Sequence, residues 1–203
     1  MMKLLDIDTL PPSKVKLIQT CLTLMSARGY ESTGIQEILN QAGVSKSNFY
    51  YHYPSKEALF LDTLERYIQN FICVALQETL LNKALSPKER MTVFCHHVYD
   101  TMASQNCQVG CPFVNLATET SDFFPAFREK LSLFFSKLKA IFVACIAEGI
   151  ALGEFRTTLN PEQAGQLFLS SFHGSLIFAK TTRQPESIKQ TTELLLSLLL
   201  TSG

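Results

Sequence analysis

The chain has 203 residues, 46% of them hydrophobic, which is enough to bury a substantial core in one or two domains. Eighteen basic and eighteen acidic side chains cancel, so any nucleic-acid role must come from a local patch rather than from bulk charge. The longest apolar run, near Leu194–Leu200, is interrupted by Ser197 and is too short to span a membrane. Six cysteines without a secretory leader point to free thiols in a reducing, cytoplasmic setting.

Residues 1–12 read as a short tail ending in turn formers, with no apolar segment of the signal-peptide kind. Residues 13–28 place Val15, Ile18, Cys21, Leu22 and Met25 at helical spacing and stop at Gly29. Thr33 is the expected N-cap of a short helix over 34–41, whose apolar face is Ile35, Ile38, Leu39 and Ala42. Gly43 then supplies the left-handed freedom of a sharp turn.

Ser45 caps the next helix, which Pro54 stops, and Ser55 caps the one after. At helical spacing Val44, Phe49 and Tyr53 turn inward, while Ser47, Asn48, Tyr50 and Tyr51 turn outward. A short helix with hydroxyls, an amide and phenols outside, and Lys46 at its start, suits phosphates and base edges. Helix, glycine turn and second helix make a helix-turn-helix. Residues 13–56 carry five bases (Lys14, Lys16, Arg28, Lys46, Lys56) against Glu31 and Glu37, a net +3 that a dimer would double.

The pattern Thr33-x-Ile35-x-x-Ile38-x-x-x-Ala42-Gly43-Val44-Ser45-Lys46, then Tyr50-Tyr51-His52-Tyr53 and Ser55-Lys56-Glu57-x-Leu59, resembles the DNA-binding domain of the tetracycline-repressor (TetR) family. Leu39 stands where that family usually has Ala, and Tyr53 where Phe is commoner; both suit an apolar position. Variation at Ser47 and Asn48 leaves the operator sequence open.

The remainder reads as helix after helix. A long one is expected over 56–82, with Leu59, Leu64, Ile68, Phe71 and Leu76 on its apolar face. Ser86-Pro87-Lys88-Glu89 is an N-cap, a first-turn proline and a capping-box glutamate, opening a helix to about Gln105. Asn106–Pro112 is a loop, and 112–120 a short helix. A long Phe-rich helix is expected from just after Ser121-Asp122 to about Leu152, closed by Gly153. Asn160-Pro161 opens another to about Thr182, and Pro185 opens the last. No segment has a strand pattern. The fold class is all-α, with a three-helix DNA-binding domain over 1–56 and a sensing and dimerisation domain over 57–203.

In this second domain Gly110-Cys111-Pro112-Phe113-x-Asn115-Leu116-x-x-Glu119 resembles a segment of one TetR branch that includes electrophile-responsive repressors. If Pro112 opens a helix, Cys111 sits at its N-cap, where the helix dipole favours a thiolate. Cys107, four residues earlier, is a resolving partner if the two Cα atoms come within about 7 Å.

Other cysteines have plainer readings. Cys21, Cys73 and Cys145 lie in apolar helices and read as small core residues. Cys95, His96 and His97 are consecutive and point about 100° apart on a helix, so they do not share a metal ion, and no metal or cofactor is expected. Phe123, Phe124, Phe127, Phe134, Phe135 and Phe142 read mostly as core with some lining a cavity, and His173-Gly174 as a close-packing spot.

The resemblance implies a homodimer joined through the last two helices of each subunit. Phe168, Phe172, Leu176 and Ala179 form one apolar stripe there, and Leu194, Leu195, Leu198 and Leu199 another. The expected function is a transcriptional regulator, a repressor released from a double-stranded operator by a small-molecule effector or a thiol-reactive electrophile. Lys46, Tyr50, Tyr51, His52 and Lys56 are candidate phosphate contacts. Gln36, Ser47 and Asn48 are candidate base-edge contacts, with Thr33 and Ser45 completing the DNA-binding set. A thiol-dependent enzyme using Cys111 or Cys107 is the competing class, but neither cysteine has a partner in a recognisable motif. An architectural DNA binder with a filled core is the third.

Overall fold

A computed structural model describes Ile7 and residues 9–200, so most of the expected N-terminal tail lies outside the described residues. Nine α-helices are found among them: α1 Pro12–Arg28, α2 Ile35–Ala42, α3 Lys46–His52, α4 Lys56–Asn70, α5 Pro87–Ser104, α6 Pro112–Thr120, α7 Pro125–Ala151, α8 Pro161–Thr182 and α9 Glu186–Leu199. A single isolated bridge, Phe155 with Leu200, is the nearest approach to a strand among the described residues. The fold is all-α.

The chain forms two compact units. The first ends at Ile72 and takes in Pro112–Leu131, so α6 and the start of α7 join α1–α4. Its core is Leu17, Ile18, Cys21 and Met25 of α1 against Leu59, Phe60 and Leu64 of α4, with Ile38, Leu39 and Phe49 closing the other side. Tyr30 leads a ring cluster, with centroids 4.9 Å from Phe60, 4.8 Å from Phe124 and 5.1 Å from Phe127.

The second unit comprises Cys73–Cys111 and the chain from Ser132 onward. Phe94 of α5, Phe142 of α7 and Phe168 and Phe172 of α8 pack ring to ring at its centre. Gly165 lets α8 approach α7: a Cβ there would lie 2.7 Å from Val143 Cγ2. Arg90 is buried and its guanidinium meets Glu148 at 2.7 Å, with Lys83 on the same carboxylate.

The capping expectations hold where they rest on neighbouring residues. Ser86 and Glu89 form the reciprocal capping box, and Asn160 accepts the Gln163 N–H. Several expectations need correction. The helix expected over 56–82 stays α-helical only to Asn70, passes through a π-helical stretch, Phe71–Leu76, and breaks into turns from Thr79. In the turn that follows, the Leu81 N–H reaches the Leu76 carbonyl at 2.8 Å, and within the stretch the β-branched Ile72 and Val74 favour a regular helix less than straight side chains do. The Phe-rich helix starts at Pro125 because the Phe123 and Phe124 N–H groups both turn back to the Thr120 carbonyl.

The remaining corrections concern which faces point inward. Phe168, Phe172, Leu176 and Ala179 are interior residues of their own subunit, so they are no dimer stripe; Leu195 and Leu199 are buried too. The exposed apolar residues of the last two helices are instead Leu167, Ile177 and Phe178 on α8 and Leu194 and Leu198 on α9. Gly174 lies on this outer side with no atom within 4 Å of a Cβ placed on it, so the close-packing glycine is Gly165 and not Gly174. Phe127, Phe134 and Phe142 are core as expected, but Phe123 is 77% exposed. Cys73, expected in the core, is also exposed.

Candidate nucleic-acid interface

Gly43 ends α2 at φ 61°, ψ 38°, a left-handed conformation that a side chain would strain. The Val44 N–H returns to the Leu39 carbonyl, and the chain re-enters helix at Lys46. Ser45 caps α3, its Oγ accepting the Asn48 N–H at 3.2 Å and standing 3.1 Å from Ser47 Oγ.

α3 is pinned by one side. Phe49 is fully buried, and Val44 and Tyr53 are buried on either side of it. The Tyr53 hydroxyl donates to Asp62 Oδ2 at 2.6 Å, and Asp62 also holds Arg66 at 2.9 Å and Lys14 at 3.4 Å. Burial alone would raise the Asp62 carboxyl, but the Tyr53 hydrogen bond and the two cations hold it below its ordinary range. Burial and the adjacent carboxylate push the Tyr53 phenol up, so it stays a donor.

The opposite side of α3 is open. Tyr51 is 83% exposed and Tyr50 48%, with Lys46 and Ser47 exposed and Asn48 half-buried beside them. Gln36 is exposed on α2, its amide donating to Asn40 Oδ1 at 2.9 Å. Lys46, Ser47, Asn48, Tyr50, Tyr51 and Gln36 therefore present polar tips outward from α2 and α3.

Three other candidates are engaged within the domain. Thr33 is fully buried and its hydroxyl donates to the Gly29 carbonyl at 2.8 Å; Gly34, not Thr33, is the cap residue of α2. Lys56 donates to the Tyr30 and Thr33 carbonyls at 3.0 and 3.2 Å with its ammonium 3.9 Å from the Tyr30 ring centroid, which spends its charge on the turn between α1 and α2. His52 Nε2 lies 2.8 Å from Ser13 Oγ, tying the end of α3 to the start of α1. Arg28 pairs with Glu37 and Lys14 with Asp62, so Lys16 and Lys46 are the bases of this stretch left exposed without an ion pair among the described residues.

Glu119 closes the motif that begins at Gly110, but the sequence gives no sign of its role. Its carboxylate, on α6, accepts the N–H groups of Tyr30 at 2.8 Å and Glu31 at 2.7 Å, directly before α2. No spacing signal could have found a pair separated by almost ninety residues. Of the thiols, Cys107 is buried and its pKa is raised by desolvation, which disfavours the resolving role given to it. Cys111, directly before α6, is half-buried. Cys21, Cys95 and Cys145 are buried, and desolvation raises all three thiols.

Comparison with known proteins follows the same division. The description "Bacterial regulatory proteins, tetR family" matches residues 17–63, and "Tetracyclin repressor-like, C-terminal domain" matches residues 87–195. The chain belongs to the tetracycline-repressor family. It is a DNA-binding transcriptional regulator. The regulator is 26% identical to the HTH-type transcriptional repressor DhaR of Mycobacterium sp. (strain GP1), over 94% of each chain. It is also 26% identical to the transcriptional regulator AcuR of Cereibacter sphaeroides, over 87% of this chain and 80% of that one. In fold it is similar to regulatory protein TetR from Rhodobacter sphaeroides (TM-score 0.87, 24% identity, 94% of this chain and 100% of that one). It is similar also to the reduced form of E. coli NemR (TM-score 0.82, 23% identity, 95% and 100%).

Proposed function

We propose that the regulator is a repressor that holds a pseudo-palindromic operator as a homodimer and leaves it when a small molecule or a thiol-reactive electrophile acts on the C-terminal part of the chain. One observation carries the DNA-binding face: α3 buries Phe49 completely while Tyr50, Tyr51, Lys46 and Ser47 stand outward. A helix held by one anchor with polar tips outside fits the major groove, with Lys46, Tyr50 and Tyr51 on phosphates and Ser47, Asn48 and Gln36 toward base edges. In this reading residues 1–56 read DNA, residues 57–203 dimerise and sense, and the protein works in the cytoplasm.

The dimer reading rests on Leu167, Ile177, Phe178, Leu194 and Leu198, all exposed on the last two helices. With Gly174 in their midst offering a Cβ-free crossing point, they suit two copies of the same helix pair. Release follows if an effector displaces α4 and so respaces the two copies of α3. Cys111 is the thiol placed for the electrophile route, being half-buried at the start of α6, the helix that carries Glu119 to Tyr30.

The test is fluorescence anisotropy with operator fragments selected from genomic DNA, run beside light scattering on the free protein. Tight, two-fold symmetric binding by a dimer is expected. A monomer at micromolar concentration that binds with full affinity overturns the reading.

A further inference from the structure

Asn70, the last residue of α4, is 1% exposed, and neither Oδ1 nor Nδ2 has a hydrogen-bond partner among the described residues. A buried amide left this way destabilises the fold, a cost that a partner arriving from outside the chain would offset. The backbone changes character at the same place: the π-helical stretch Phe71–Leu76 begins at the next residue. Such widened turns break the regular hydrogen-bond ladder and recur where a helix serves a site.

Aromatic surface gathers at the same turn. Tyr67, one turn before Asn70, has its ring centroid 4.9 Å from that of Phe113 of α6, nearly parallel at 31°. Phe71, directly after Asn70, meets the same Phe113 ring edge-on at 5.4 Å. An amide with a free donor beside a free acceptor thus lies directly before Phe71 and three residues after Tyr67, whose rings both pack on Phe113, all in the first compact unit.

We infer that Asn70 is the recognition residue of a small-molecule site that takes a neutral planar amide or lactam carried on an aromatic or unsaturated body. The complement of one donor beside one acceptor is one acceptor beside one donor, which a primary amide or a lactam presents in a single plane. A carboxylate presents two acceptors, so it pairs with Nδ2 but sets like charge against Oδ1. A hydrocarbon satisfies neither atom. Ring faces at Tyr67, Phe71 and Phe113 favour a flat body behind the polar group. The inference deepens the effector-controlled reading and rests on it.

The experiment titrates the full-length protein with benzamide, benzoate and toluene by isothermal calorimetry, and measures operator binding separately. Wild type is expected to bind benzamide at least tenfold more tightly than benzoate or toluene. Asn70→Leu, similar in size, is expected to lose that preference while keeping its affinity for toluene and its melting temperature. A co-crystal with benzamide should pair its amide with Asn70. No preference among the three probes in wild type, no binding of any probe, an unchanged preference in Asn70→Leu, or a crystal in which Asn70 holds only an ordered water overturns the inference. The wild-type comparison stands even where Asn70→Leu fails to fold. Loss of operator binding with the benzamide preference intact overturns the repressor reading alone; operator binding without the preference overturns this one alone.

Discussion

The Glu119 carboxylate accepts the backbone N–H of Tyr30 at 2.8 Å and that of Glu31 at 2.7 Å, joining α6 to the turn that precedes α2. Gly29 makes room for it, since a Cβ there would lie 2.1 Å from Glu119 Oε2, and its φ of 82° disfavours any side chain as well. Charge-assisted hydrogen bonds of this kind contribute about 1.5–3 kcal/mol. Glu119→Ala is expected to lower unfolding free energy by about that amount in urea titration. It is also expected to weaken operator binding, with Glu119→Gln intermediate because its amide keeps one acceptor oxygen. Unchanged values for both variants would remove Glu119 as a link.

Substitutions along α3 should separate by role. Lys46→Ala and Tyr50→Ala are expected to weaken binding to every DNA sequence by about 1–3 kcal/mol, the Lys46 change also flattening the salt dependence. Asn48→Ala should change which site is preferred. Lys56→Met should act differently, lowering the melting temperature while leaving the salt slope unaltered, because its ammonium is held by Tyr30 and Thr33. Anisotropy across a salt series, read beside thermal melts, distinguishes the classes.

Phe178 and Phe172 lie on the same helix with opposite expectations. Phe178 is 67% exposed, so Phe178→Glu should leave the subunit folded but monomeric, with operator affinity lost. Phe172 is buried among Phe94 and Phe168, so Phe172→Ala should cost about 3–5 kcal/mol of stability instead. Deleting residues 184–203 should also abolish dimerisation and operator binding. Sedimentation velocity and chemical denaturation report the two effects independently.

Thiol labelling of the native protein should divide the six cysteines. Cys73 is exposed and Cys111 half-buried, while Cys21, Cys95, Cys107 and Cys145 are buried. The first two should react with N-ethylmaleimide within minutes and the other four only on unfolding, as mass spectrometry of digests would record. If Cys111 governs release, modification should free operator DNA from wild type and Cys107→Ser but not from Cys111→Ser. Equal sensitivity of all three proteins would end that role.

Burial pushes the His173 imidazole down to about 4, in a groove of about 550 Å³ lined by Phe135 and Lys139 of α7 and Gln166 and Ser170 of α8. Between its ordinary 6.5 and about 4 the unfolded chain binds a proton that the folded chain refuses, so stability should fall as pH drops through this window. Above pH 6.5 the group is neutral in both states and contributes no pH dependence. His173→Gln should flatten the melting temperature between pH 6.5 and 4, which a thermal scan at half-unit pH steps would detect.

Local chemistry was legible in the chain itself. Ser45, Ser55, Ser86 with Glu89, and Asn160 each cap the helix expected of them, and Gly43 adopts the left-handed turn between α2 and α3. These features depend on hydrogen bonds that reach three or four residues along the backbone, so residue type and spacing suffice to specify them. The inward set of α3 was legible for the same reason, since a seven-residue helix with Phe49 as its apolar anchor has one side to bury.

The tertiary structure decided what depended on partners far along the chain. α8 carries apolar residues on two sides, and only the packing of Phe94 and Phe142 against Phe168 and Phe172 determines that Phe178 is left outside. Lys56 has the sequence position of a phosphate contact, but its ammonium reaches the Tyr30 and Thr33 carbonyls, which only the packed turn brings near. Cys73 is exposed rather than core, since the π-helical stretch Phe71–Leu76 takes it out of the regular helical register. Periodicity fixes which residues share a face, but burial of that face is set by whichever distant surface offers the larger apolar area.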